Sequence, residues 1–260
     1  MKKFRLDFYI PDIKDGSHVD DAIGNYTLLL NRIGSVATLD FDRLKVLKRL
    51  YSSHVELHTP DENGYYGFGG VNRIKQSRCV GTNGNVRFYG NCWTSTMGQL
   101  GGKDRKGSGV CCRPASEVFK NPERWFYCEF EVSDFGYKQM TDMMQVELEA
   151  NKGYDKSMIA RFFVPMPIIR IVQKIKPNFC NDKLKWICSE FCNHHALIAF
   201  QYSKMQSIDP VIYKDNPTYQ IAVQKIINDT MSPLLSATSL HYHGVDFYNM
   251  DGSLLLAGKK

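Results

Sequence analysis

The chain has 260 residues, 43% apolar and 12% aromatic, a composition that excludes disorder as its main state. That length can remove roughly 70–75% of the unfolded surface from water, so one large domain is expected. A net charge of +6 is too mild for a dedicated nucleic-acid surface, and no run of about 18 apolar residues offers a spanning helix.

The first residues, Met1-Lys2-Lys3, start as a signal peptide does, but Asp7, Asp12 and Asp15 fall where its apolar core should lie. The segment reads instead as a strand over 3–10 with Phe4, Leu6, Phe8 and Ile10 on one side, and a cytoplasmic location is expected. Residues 19–33 and 41–50 carry helical spacing, and 51–58 reads as a strand. A stretch rich in Gly, Asn and Tyr follows to about residue 90, with turn signals at Asn63-Gly64, Gly69-Gly70 and Asn83-Gly84; it reads as a hairpin-rich insertion at about 59–92. A glycine loop spans 98–109, and residues 125–132 alternate as a strand.

Beyond it the pattern turns helical. Residues 137–150 are amphipathic and stop at Asn151-Lys152-Gly153. Further helices are expected over 154–163, from 186 to about 202, and over 219–228, with a basic linker at 170–185 and a break at Ser232-Pro233.

Eight cysteines in a chain this large, with no secretory leader expected, are read as reduced thiols. Cys188 opens a helix, where unpaired N–H groups and the positive end of the dipole favour a thiolate and can hold an oxyanion. The plain alternative is a small residue in a core helix. Such a thiol needs a base reached through the fold. His54 is the partner chosen, because strand alternation puts His54, Glu56 and His58 opposite Val55 and Leu57. The plain alternative there is a solvated strand face.

Ser53-His54-Val55-Glu56-Leu57, followed later by Gly153-Tyr154-Asp155 and Trp186-Ile187-Cys188-Ser189-Glu190, resembles the circularly permuted NlpC-type papain-like hydrolases, closest to the YiiX-like branch and its phage relatives. Asp20-Asp21-Ala22-Ile23 and Trp125 belong to the same pattern. The blocks cover about two thirds of the chain, and their order, histidine strand before cysteine helix, carries the likeness. The resemblance implies an α/β (α+β) papain-like permuted fold, with an antiparallel sheet packed on the helix that bears the nucleophile. The domain would span 1–205, and 206–260 would form a helical extension packed on it.

It further implies acyl transfer through a thioester, with Cys188 as nucleophile, His54 as base and no cofactor. Substrates would be peptides, amides or acyl esters, since permuted relatives include cell-wall amidases and lipid acyltransferases. Glu56 is the preferred orienting residue, with Ser95 or Thr96 as alternatives. Glu190 and Asp155 read as structural. The alternative function is a binding or virion-associated protein that keeps the fold without turnover.

Two other chemistries fit less well. Cys188, Cys192 and His195 share a helical face, but ligands from one helix crowd a metal ion. Gly98-Gln99-Leu100-Gly101-Gly102-Lys103-Asp104 has Asp where a phosphate loop needs Ser or Thr.

Overall fold

A computed structural model describes residues 1–11, 19–67, 88–96, 109–154, 166–175, 185–206 and 232–259. The helices expected over 154–163 and 219–228 lie outside these residues, apart from Tyr154, as do most of the glycine loop and the middle of the insertion.

Among the described residues the strands join in one nine-stranded sheet. Strand β1 (Lys2–Tyr9) lies between β2 (His54–Thr59) and β5 (Trp125–Val132), antiparallel to both. Beyond β2 come β3 (Asn91–Thr96) and β4 (Gly109–Pro114), then the two-residue strands β6 (Gly153–Tyr154) and β7 (Lys185–Trp186). Beyond β5 lie β8 (Phe247–Asn249) and β9 (Leu254–Leu256). The architecture is mixed α/β. The expected antiparallel sheet holds with one correction: β6 and β7 pair in parallel, which also puts Trp186 in a strand and starts the next helix at Cys188.

Alternation builds the core. Phe4, Leu6 and Phe8 of β1, Val55 and Leu57 of β2, and Phe126, Cys128 and Phe130 of β5 point to one face. There they meet α4 (Asp134–Glu149) and α6 (Cys188–Gln206), which also pack on each other. The two helices approach closely at Gly136, where an added Cβ would lie 2.1 Å from Ser203 Oγ and 2.3 Å from the carbonyl of Ala199. Nearby, the Ser133 side chain caps the start of α4 by accepting from Gly136 N–H.

The opposite face is not solvated, contrary to the alternation read as half-buried. Tyr66 and Phe88, from the two ends of the insertion, together with Phe119 and Tyr127, wall it off, and Arg5, Asp7, Glu56 and His58 are fully buried beneath them. Arg5 is sandwiched between the Tyr66 and Tyr127 rings at 3.9 and 4.1 Å and paired to Glu129 at 3.1 Å. The two ends of the insertion thus help cover a polar face in which Arg5 is paired to Glu129.

The remaining helices sit around this body. They are α1 (Val19–Ala37), α2 (Phe41–Arg49), the single turn α3 (Ala115–Val118), α5 (Met166–Ile175) and α7 (Pro233–Tyr242). The expected break at Ser232-Pro233 is instead the start of α7: the Ser232 hydroxyl accepts from Leu235 N–H, and proline fits the first helical position. The C-terminal segment, expected as helical, adds the β8–β9 hairpin to the sheet, with Phe247 in the main core. No helix among the described residues is long and apolar enough to cross a membrane. Cys92, Cys111, Cys112, Cys128, Cys188 and Cys192 are free thiols.

Candidate active site

Cys188 is the first residue of α6, and Phe191 N–H donates to the carbonyl of Ile187 at 2.9 Å to open the helix. Ile187 carries no side-chain oxygen, so it cannot cap the first-turn amides as Ser or Asp would. The backbone just before Cys188 is anchored from the sheet: Ser95 Oγ of β3 donates to the carbonyl of Trp186 at 2.9 Å.

The sheet opens where it meets this helix. Recorded β2–β3 pairs run from Leu57 to Thr59, and the carbonyl of Val55 is taken by side chains instead. Thr94 Oγ1 donates to it at 2.9 Å, and the Cys192 thiol lies 3.5 Å from it and 3.6 Å from the carbonyl of Trp93. Cys192 sits one helical turn after Cys188 and so bridges carbonyls of both strands, bringing the start of α6 against the His54 end of β2.

There His54 meets Cys188. The sulfur lies close enough to the imidazole to act on its charge, and His54 Nε2 lies 3.1 Å from Glu56 Oε1. Thr94 Oγ1 stands 3.5 Å from the same nitrogen. Both Cys188 and His54 are nearly enclosed, at 5% and 2% exposure. The guanidinium of Arg113, from β4, grips the Glu56 carboxylate, and Glu56 itself is wholly buried.

The electrostatics follow from these contacts. Burial works to lower the His54 pKa, but the charge and hydrogen bond of Cys188, joined by Glu56, overcome it and raise it to about 10. Burial works to raise the Glu56 pKa, and the Arg113 charge, with His54, outweighs it and holds the carboxyl below its ordinary value. An ionised carboxylate only accepts, so Nε2 of His54 carries the hydrogen between them. Burial pushes the neighbouring Cys192 thiol well upward, as it does Cys92 and Cys128.

The fold brings Cys188, His54 and Glu56 into one cluster. Ser95 is nearby but is committed to the backbone before Cys188, and Thr96 is buried at the end of β3 opposite Gly109. Cys188, Cys192 and His195 do not converge: the Cys192 thiol faces strand carbonyls, and His195 Nδ1 donates to the carbonyl of Phe191 at 2.8 Å. Thr94 and Arg113 are contributors that the sequence reading misses. Each reaches the site across strand pairs, and parity along β3 and β4 is their only local signal.

No protein-family model, curated protein or solved structure matches the chain.

Proposed function

We propose that the chain is a cysteine-dependent hydrolase or acyltransferase acting on amide or ester bonds, built on a permuted papain-like fold of the NlpC type. The observation that carries this reading is the cluster of Cys188, His54 and Glu56, in which His54 Nε2 lies 3.1 Å from Glu56 Oε1 and Cys188 is the first residue of α6. In this mechanism the sulfur attacks the acyl carbon as a thiolate, and the first-turn amides of α6 donate hydrogen bonds to the developing oxyanion. The imidazolium gives its proton to the departing amine or alkoxide, leaving a Cys188 thioester and neutral His54. His54 then takes a proton from water or another acceptor as it attacks the thioester, and the thiolate leaves. Glu56 holds the ring by its Nε2–H throughout, and Arg113 keeps Glu56 ionised.

The near-complete enclosure of Cys188 and His54 favours one second reading, a binding protein that keeps the fold without turnover. Peptide-mapped alkylation with limiting iodoacetamide across about pH 5 to 9 separates the two. On the catalytic reading Cys188 reacts below about pH 8, ahead of the other cysteines, and His54→Ala abolishes that preference. Reaction no faster than at its neighbours, or indifferent to His54, overturns it.

A further inference from the structure

One pair along the sheet from Glu56, three metal-ligating side chains from three strands meet in the buried polar layer. His58 and Cys92 are direct cross-strand partners on β2 and β3, so their side chains share a face. Asp7 of β1 pairs with Glu56, two residues before His58, which places it diagonally on that same face. The ligand atoms of Asp7, His58 and Cys92 all lie within 4.8 Å of one another, and all three residues are fully buried.

Their hydrogen bonding is incomplete in a particular way. His58 Nε2 donates to the carbonyl of Tyr89 at 2.8 Å, which leaves Nδ1 with a lone pair in the neutral ring. Nδ1 lies 3.0 Å from Asp7 Oδ2, yet neither atom has an aligned hydrogen-bond partner, and Asp7 Oδ1 has none either. Two buried atoms this close need positive charge between them, either a proton on Nδ1 or a metal ion. A histidine whose other ring nitrogen is tied to a backbone carbonyl is also the arrangement that fixes a metal-binding tautomer.

We propose that Asp7 Oδ, His58 Nδ1 and Cys92 Sγ bind a divalent zinc ion that fastens β1, β2 and β3 together. Nitrogen, sulfur and carboxylate oxygen suit Zn²⁺ above Mg²⁺ or Ca²⁺. Around a tetrahedral zinc at bond lengths of about 2.0–2.3 Å, ligand atoms stand about 3.5 Å apart, so the Asp7–His58 pair, at 3.0 Å, opens by about 0.5 Å and the wider separations, at most 4.8 Å, close by about 1 Å. On binding, the Cys92 proton passes to solvent, and the ion's two charges are balanced by the thiolate and the Asp7 carboxylate. The ion is structural and takes no part in the chemistry of Cys188, so this inference stands or falls separately from the proposed activity.

The test uses the full chain, stripped with chelator and titrated with Zn²⁺ or Co²⁺. One zinc per chain by elemental analysis is expected, with a thiolate-to-cobalt charge-transfer band in the Co²⁺ form. Cys188→Ala and His54→Ala should keep both. Cys92→Ala and Asp7→Asn should weaken zinc binding by about 10-fold or more. Because Cys188→Ala leaves the cluster untouched, its cobalt band decides the matter even if the Cys92 variant does not fold. No stoichiometric zinc and no band would mean that Asp7 and His58 form only an ion pair, and the proposal fails. It fails equally if zinc is lost with Cys188→Ala and kept with Cys92→Ala.

Discussion

His54 Nε2 and Glu56 Oε1 stand 3.1 Å apart on alternate positions of one strand, so the imidazole and the carboxylate that holds it ride on a single six-residue segment. Their relation is set by strand geometry, while the thiol must be delivered by a separate helix. Replacing Glu56 by Gln keeps the shape and removes the charge. The imidazolium is then less favoured, and the His54 titration should move down from about 10 by about one unit. NMR titration of the imidazole checks this; an unmoved midpoint would show that Glu56 does not act on the ring.

The pH dependence of stability reads the same group. The folded-state pKa of His54, about 10, lies above its ordinary 6.5. Its contribution is therefore fully present below about pH 6.5 and lost as pH rises through about 10. Urea unfolding of wild type and His54→Gln should show a stability gap that is widest near pH 6 and shrinks toward pH 10. A gap that grows with pH would contradict a protonated ring.

Arg113 and Glu56 form a buried ion pair, and removing one partner strands the other. Arg113→Met should cost about 3–5 kcal/mol in denaturant unfolding. Adding Glu56→Gln should recover part of that loss, because the neutral amide no longer needs the guanidinium. Strict additivity of the two changes in a double-mutant cycle would mean the pair is not coupled.

Packing of the helix that bears Cys188 has its own test. Gly136→Ala places a methyl group against Ser203 Oγ and 2.3 Å from the carbonyl of Ala199, and that backbone contact cannot be relieved by rotating a side chain. A loss of about 1–3 kcal/mol is expected, seen as a fall in Tm of a few degrees per kcal/mol. An unchanged Tm would mean that α4 shifts freely on α6.

The strands that position the site are legible where alternation is long. Residues 125–132 read as a strand over the same range that β5 occupies, and Phe4, Leu6 and Phe8 face the core as their spacing says. The shared face of His54 and Glu56 follows from the same parity. What the spacing cannot tell is that the polar face is covered too. Arg5 and Asp7 look like solvent positions because their cover, Tyr66, Phe88 and Phe119, lies far along the chain. Strands of two residues, such as β6 and β7, carry no period at all, which is why the helix start is read two residues early at Trp186. Ser232-Pro233 carries both a break and a helix-start signal, and only the hydroxyl's bond to Leu235 N–H decides between them. Arg113 and Thr94 escape for a different reason: their partners are set by cross-strand pairing.

The strand bearing His54 and the helix bearing Cys188 lie far apart in the chain, with β3, β4, β5 and α4 between them. At a synthesis rate of about 5–20 residues per second, His54 leaves the ribosome roughly 7–27 seconds before the thiol does. Throughout that interval the sheet can pair its central strands, but the imidazole has no sulfur beside it. Any chemistry of the pair is thus deferred until the helix that bears Cys188 has been made.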